Sequence, residues 1–127
     1  MKAVDTNIVV RVIMQDDETQ TEIARRVVGK GVFVSATVLL ETGWVLASFY
    51  GQRRPAIANA LSMLLDHPTM HVADEPATRR AIDLFRGGAD LADVIHLAAA
   101  GGSTSFVTFD RKLARLKDTP LPIERAA

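Results

Sequence analysis

The sequence contains no cysteine, which excludes a disulfide framework, a thiolate metal site and a cysteine nucleophile. It also lacks a long apolar run, because no uninterrupted stretch approaches the ~18 residues that a membrane-spanning helix needs. The charged residue Asp5 comes so early that no room remains for the apolar stretch of a signal peptide. These absences predict a cytoplasmic protein that does not associate with a membrane.

A net charge is absent as well, since 15 Lys and Arg balance 15 Asp and Glu. Proteins that hold nucleic acid mainly by counterion release are usually basic, so this balance argues against a nonspecific DNA-binding module. Aromatic residues make up only 6% of the chain, and no RNA-stacking motif interleaves them with basic residues. Any handling of phosphate must therefore act locally, through a metal ion or a few cations. The candidate cations, which the sequence does not rank, are Arg11, Arg53, Arg54, Arg79, Arg80, Arg86, Arg111 and Lys112.

The sequence does have a regular alternation of short β-type runs with longer helical patterns. Strands are predicted at residues 3–4, 32–34, 70–72 and 105–108, with a weak fifth near Ile123. Helix starts are predicted at Ser35, Pro55, Pro76 and Asp90. The stretch NIVVRVIM is rich in β-branched residues, yet its apolar side chains form a helical stripe, and we expect a helix. The chain of 127 residues, 48% hydrophobic, fits a single α/β domain, residues 1–127, with a parallel sheet.

Two acidic residues, Asp5 and Glu41, lie at positions where a carboxylate is unexpected. Asp5 follows the first predicted strand, at the edge where open α/β sheets gather ligands, although it is equally well explained as a cap of the next helix. Glu41 lies on a predicted helix and has no basic residue one turn away in either direction. A carboxylate on such an apolar face needs a partner from elsewhere in the fold, or a position that reaches solvent.

Asp93 and Asp110 repeat this pattern. One turn from Asp93 lie Asp90 and His96 among apolar residues, again without Lys or Arg. We expect Asp90 to cap the helix and His96 to be a hydrogen-bonded structural residue rather than a metal ligand. Asp110 follows the fourth predicted strand and either caps the short helix after it or lies at the same sheet edge as a functional acid.

Together, the four acids predict a carboxylate cluster at one edge of the sheet. Two carboxylates ~4 Å apart repel each other by roughly 4 kcal/mol at an effective dielectric constant of about 20. Without a cation, such a cluster would take up protons. Ligand sets made only of oxygen suit a hard divalent ion, Mg²⁺ or Mn²⁺, which keeps water molecules in its coordination shell.

Four motifs carry a resemblance to a known family. They are VDTN after the first strand, LLETGWVL with Glu41, DLADVIHLAAA with Asp93, and FVTFD with Asp110. In this order, over nearly the whole chain, they resemble the signature of PIN-domain ribonucleases, and more closely that of the VapC toxins of type II toxin–antitoxin modules. Each motif is weak alone, but the ordered set is specific. The chain departs from some relatives in one respect, because Phe109 precedes Asp110 where they carry arginine.

The resemblance implies a PIN-like three-layer sandwich, in which a parallel sheet of about five strands is flanked by helices. It also implies a catalytic, metal-binding site made of Asp5, Glu41, Asp93 and Asp110. Polar companions that would orient these carboxylates or a bound water are Thr6, Asn7 and Thr108.

The expected activity is metal-assisted hydrolysis of RNA by an endoribonuclease that uses Mg²⁺, with Mn²⁺ as a substitute. Asp5 and Asp93 are the expected direct ligands, Glu41 binds directly or through water, and Asp110 acts from outside the inner ring of ligands. The resemblance implies products with a 5′-phosphate and a 3′-hydroxyl.

The resemblance also implies two protein partners, a second copy of the chain in a homodimer and a VapB-like antitoxin. The antitoxin would pack on a hydrophobic groove and place a basic residue near the acids. The apolar residues of segments 8–14 and 38–50 would suit such a groove, although most of them are expected to fill the core. Trp44, Phe49 and Tyr50 are expected in the core or in an interface rather than as platforms for bases.

Other functions remain as alternatives. A phosphatase of the haloacid dehalogenase type needs a second aspartate two residues after the first, where this chain has Asn7. A response-regulator receiver needs adjacent acids at the end of the first strand, and Asp16 and Asp17 come too late. The P-loop pattern is missing. The non-enzymatic alternative is a catalytically silent PIN-like module that binds RNA or protein, against which the intact set of acids argues.

Overall fold

The computed structural model describes all residues, Met1–Ala127, and divides them into two compact units, Met1–Ala73 and Asp74–Ala127. The first unit contains β1 (Lys2–Ala3), α1 (Thr6–Met14), α2 (Glu18–Gly29), β2 (Val32–Phe33), α3 (Ala36–Ser48), α4 (Arg54–Asp66) and β3 (Met70–His71). The second contains α5 (Glu75–Arg86), α6 (Leu91–Ala99), β4 (Phe106–Thr108), α7 (Arg111–Ala114) and β5 (Ile123–Arg125). None of these helices combines the length and apolar character needed to cross a membrane.

The strands of the first unit form a parallel sheet in the order β1–β2–β3. Lys2 lies opposite Val32, which in turn lies opposite Met70. Because all three strands run in the same direction, their carboxyl ends lie at one edge of the sheet. Asp5 follows β1 at that edge, as the sequence predicts.

The stretch NIVVRVIM is helical, as expected, and forms most of α1. Its buried face includes Val9 and Val10, and the helix packs against α2 and α3. Burial of that stripe outweighs the weak intrinsic helix propensity of β-branched residues. The helix ends at Gln15, whose φ of 53° lies in the left-handed region.

The core of the first unit lies between its sheet and its helices. The fully buried side chains there include Val9, Val28, Val32, Leu46 and Leu61. Complete burial of each of these apolar side chains contributes about 1.5–3 kcal/mol. They therefore hold the end of β1 and the middle of α3, where two of the predicted acids lie, on a close-packed base.

The second unit is built on two helices and a short parallel ribbon. Helix α5 packs against α6, and β4 pairs in parallel with β5, so that Phe106 lies opposite Ile123. Leu97, Leu113 and Leu121 form a buried cluster against which Phe106 and Ile123 pack. This cluster joins α6, α7 and the ribbon into one unit.

The expectation of a single sheet of about five parallel strands is wrong in its hydrogen bonding. All pairings are parallel, but they form one sheet of three strands and a second sheet of two. Each strand is only two or three residues long, which gives it few N–H and C=O groups with which to build a ladder. The α/β class and the positions of the five strands agree with the sequence-based prediction.

Candidate active site

Asp5 caps the first helix and keeps most of its carboxylate in solvent. It has an extended backbone (φ −81°, ψ 161°), and its Oδ1 accepts a hydrogen bond from the backbone N–H of Thr6 at 2.6 Å. The capping explanation is therefore correct in geometry. It does not exclude a second role, because the Asp5 side chain is exposed and Oδ2 makes no hydrogen bond.

Thr6 connects Asp5 to Glu41. Its side chain is buried, with 4% of its surface exposed, and its hydroxyl donates a hydrogen bond to Oε1 of Glu41. Glu41 itself is exposed on α3. The first unit thus brings Asp5, Thr6 and Glu41 together, and Thr6 orients the Glu41 carboxylate. Asn7 is exposed in the first turn of α1, and its side chain makes no hydrogen bond.

Asp93 lies in the first turn of α6, where Asp90 is the cap. The Asp90 side chain accepts a hydrogen bond from the backbone N–H of Asp93 at 3.0 Å. Partial burial raises the pKa of Asp93, the negative charges of Asp90 and Asp110 raise it further, and His96 acts in the opposite direction. Asp93 is therefore a carboxylate whose charge is poorly compensated by the protein.

Asp110 caps α7 in the second unit. Its Oδ1 accepts from the backbone N–H of Leu113 at 3.0 Å, and its own N–H donates to Oγ1 of Thr108 at 3.0 Å. Thr108 therefore fixes the backbone of Asp110 rather than its carboxylate. Since the charge of Asp110 raises the pKa of Asp93, these two acids lie within electrostatic reach of each other.

The acids fit a hard divalent cation by their chemistry. Within each unit, no Lys or Arg forms an ion pair with any of them, and the donor atoms are carboxylate and hydroxyl oxygens, which Mg²⁺ and Mn²⁺ prefer. Neither unit alone assembles three or more His, Asp or Glu side chains into a metal-binding group. Asp5 and Glu41 belong to the first unit, and Asp93 and Asp110 belong to the second.

The comparison with protein families gives the decisive match. The model of the PIN domain matches residues 2–118, a range that includes all four acids and the three polar companions. This chain belongs to the PIN domain family. PIN domains are generally metal-dependent nucleases and bind RNA. Among curated proteins, a search returns no match.

The structure bears on three expectations about side chains near these PIN motifs. Trp44 and Phe49 are 67% and 79% exposed, so of the two expected places, the core and an interface, neither residue lies in the core. His96 is exposed and makes no hydrogen bond, so it is not a structural residue of the expected kind. Arg11 donates to Asp16 at 3.0 Å and to Tyr50 at 3.1 Å, so this network occupies one of the eight unranked candidate cations.

The sequence did contain a signal for the exposed aromatic residues. Helix α3 is apolar almost all round, with Glu41 as its one charged residue. A single helix face suffices to cover a small core, so such a helix leaves apolar side chains outside. Phe109, 78% exposed, has a similar explanation in the alternation of β4.

Proposed function

We propose that this PIN domain is a metal-dependent endoribonuclease whose acidic site consists of Asp5, Glu41, Asp93 and Asp110. The observation that carries the proposal is the Thr6 hydrogen bond to Glu41, which joins two of the acids from distant parts of the sequence. Partial burial and the charge of Asp90 raise the pKa of Asp93, and the charge of Asp110 adds to this, which supports the other half of the set. We also propose that both units act as one PIN-like domain over residues 1–127, because the family match includes parts of each.

The proposed cofactor is Mg²⁺, for which Mn²⁺ can substitute. Asp5 and Asp93 would hold the ion directly, Glu41 directly or through water, and Asp110 from outside the inner ring of ligands. When bound, a divalent ion lowers the pKa of a coordinated water and neutralises charge that develops on the phosphate oxygens. The protein contributes fixed carboxylates: Thr6 orients Glu41, and Asp90 holds the backbone of Asp93.

The cleavage assay tests this proposal. Purified protein with Mg²⁺ or Mn²⁺ should cut single-stranded RNA, leaving a 5′-phosphate and a 3′-hydroxyl, and EDTA should stop the reaction. Asp5→Asn and Asp93→Asn should each abolish cleavage, whereas Asp83→Asn, an exposed acid on α5, should leave it unchanged. Cleavage that survives EDTA and both site variants would refute the metal-dependent site.

We further propose that this nuclease is the toxin of a toxin–antitoxin pair in the cytoplasm, silenced by a VapB-like antitoxin. A groove of about 620 Å³ in the first unit supports such a partner, with apolar lining from Val12, Ile13, Val28, Ala60, Met63 and Leu64. Two residues of the expected segment 8–14 line this groove, and no residue of segment 38–50 does. A helix with an apolar face would fit a groove of this kind.

Expression in bacteria tests the toxin role. The wild-type chain should arrest growth, the Asp93→Asn variant should not, and co-expression of the small protein encoded beside it should restore growth. Met63→Glu should prevent this rescue without relieving the arrest, because it places a charge in the apolar groove. Unimpaired growth with active nuclease would contradict the toxin role alone.

A homodimer is the remaining proposed partner. Trp44 supports it, because a 67% exposed tryptophan is the kind of side chain that is enriched in interfaces. Light scattering after size exclusion should give twice the chain mass of 13.8 kDa. Trp44→Ala should shift the protein toward the monomer if this residue lies in the interface.

A further inference from the structure

An exposed aromatic ring directly precedes one of the proposed catalytic acids. Phe109 is 78% exposed and lies between β4 and Asp110. Side chains alternate along β4: Phe106 packs on the buried leucine cluster, and Val107 is 59% exposed on the other face. Phe109 continues the outward-facing set, so its exposure follows from the register that buries Phe106.

The backbone around Phe109 is held on both sides. The N–H of Asp110 donates to Oγ1 of Thr108, and Oδ1 of Asp110 accepts from the N–H of Leu113. These bonds fix the turn that presents the ring and the acid. The backbone that carries Phe109 is therefore held in place directly before Asp110.

Two unpaired cations follow in the sequence. Arg111 and Lys112 are exposed and make neither an ion pair nor a side-chain hydrogen bond. By contrast, Arg79 pairs with Glu75 at 3.5 Å, and Arg80 donates to a backbone carbonyl at 3.1 Å. The two cations that follow Phe109 are therefore available for a phosphate.

We propose that Phe109 stacks on an unpaired base of the RNA substrate while Arg111 and Lys112 contact the adjoining phosphates, so that the site selects single-stranded RNA. This inference rests on the proposed nuclease function and adds the feature that positions the substrate. Aromatic side chains and nearby cations are the usual means by which proteins hold single-stranded nucleic acid. In a duplex, the base faces are already stacked and paired, so the Phe109 ring has no free base face to cover.

Binding without cleavage tests the inference separately from the nuclease function. The probe is a fluorescein-labelled single-stranded oligoadenylate RNA of about 12 nucleotides, titrated in EDTA and followed by anisotropy. Phe109→Ala should weaken binding roughly 5- to 100-fold, the range expected for the loss of one stacked base. Phe109→Trp should retain binding, because any aromatic ring can stack.

The chain offers a matched control in Phe49, which is 79% exposed on the other unit. Phe49→Ala removes the same ring from a surface of equal exposure and should leave RNA affinity unchanged. A further comparison uses the same RNA with abasic residues. Wild-type protein should bind the abasic RNA more weakly than the intact RNA. The Phe109→Ala variant should bind the two RNAs with equal affinity.

Cleavage kinetics distinguish the possible failures. Phe109→Ala should raise KM for single-stranded RNA while leaving kcat close to the wild-type value. Wild-type affinity in the Phe109→Ala variant, or an equal loss in Phe49→Ala, would overturn the stacking role even if the nuclease is active. Phe109-dependent binding without any cleavage would instead overturn the proposed function and leave RNA recognition standing.

Discussion

Thr6 shows how one uncharged residue can orient two carboxylates of an acidic site. It is buried beside two exposed carboxylates: its N–H donates to Asp5 and its side chain donates to Glu41. The two donors are fixed by α1, so both carboxylates are held without a basic residue that would cancel their charge. Neutral donors of this kind leave the negative charge available for a cation.

Replacement of Thr6 tests this role. Thr6→Val keeps the shape of the side chain but cannot donate, and we expect the free energy of unfolding to fall by about 1 kcal/mol. The loss is small because Glu41 is exposed and can be hydrated. Cleavage should fall roughly 10- to 100-fold, since the carboxylate loses its fixed orientation. Thr6→Ser should restore cleavage, and a fully active Thr6→Val variant would show that the orientation of Glu41 is unimportant.

The environment of Asp93 leads to a prediction of how the free energy of unfolding depends on pH. Its raised pKa means that the folded protein binds this proton more tightly than the unfolded chain does. Stability should therefore fall as the pH rises from the ordinary value of an aspartate, about 3.9, through the raised pKa. In EDTA, Asp93→Asn should be more stable than wild type at neutral pH and should lose that advantage in acid. Urea unfolding across the acid range measures the difference.

Asp83→Asn is the control for this titration, because Asp83 is an exposed acid on α5 that lies outside the proposed site. A constant difference between wild type and Asp93→Asn at every pH would contradict the raised pKa. The pH dependence of stability is opposite to that of an acid paired with a cation. Such an acid has a lowered pKa and stabilises the folded protein above that pKa.

At the scale of secondary-structure elements, helix caps could be predicted from the sequence, but the pairing of strands that are distant in the sequence could not. The caps at Ser35 and Asp90 were correct because a cap depends on neighbouring N–H groups alone. The position of β4 was equally clear. The division of the strands into two ladders was not predictable, because strands of two or three residues leave no pattern that specifies their partners. Likewise, the apolar composition of α3 indicates that some of its side chains lie outside the core, but it does not identify Trp44 as one of them, since exposure depends on which helices cover α3.

A hydrogen-bond network in the first unit joins Arg11 of α1 to residues that follow α1 and α3. Tyr50, after α3, donates to Oδ2 of Asp16 at 2.8 Å and accepts from Arg11 at 3.1 Å. The Tyr50 hydroxyl is the main cause of the lowered pKa of Asp16, and Arg11 adds to it. A lowered pKa stabilises the folded protein above the ordinary aspartate value, and this contribution is lost as the pH falls through the lowered pKa.

Tyr50→Phe should therefore destabilise the protein at neutral pH by weakening the hold on the Asp16 carboxylate. The difference from wild type should shrink in acid as Asp16 takes up its proton. Thermal unfolding at several pH values would measure this effect. RNA cleavage should remain unchanged, because the network contains none of the proposed site residues. A difference in stability that does not vary with pH would show that the lost contact acts through packing alone.

At the scale of the whole molecule, the sequence was most informative about which acids matter and least informative about where the fold places them. Four carboxylates in family order could be recognised from VDTN, LLETGWVL, DLADVIHLAAA and FVTFD, and the PIN match over residues 2–118 includes all of them. Each unit holds only two of the four acids, and neither unit assembles three or more His, Asp or Glu side chains into a metal-binding group. The central proposal is that the two pairs share a single ion.

Calorimetric titration with Mn²⁺ tests that proposal most directly. We expect wild-type protein to bind Mn²⁺ and to gain thermal stability from it. Asp5→Asn and Asp93→Asn should each abolish binding without the other change, because both pairs hold the same ion. Retained binding in both single variants, lost only when the two changes are combined, would mean separate sites, and no binding by the wild-type protein would contradict the metal centre itself.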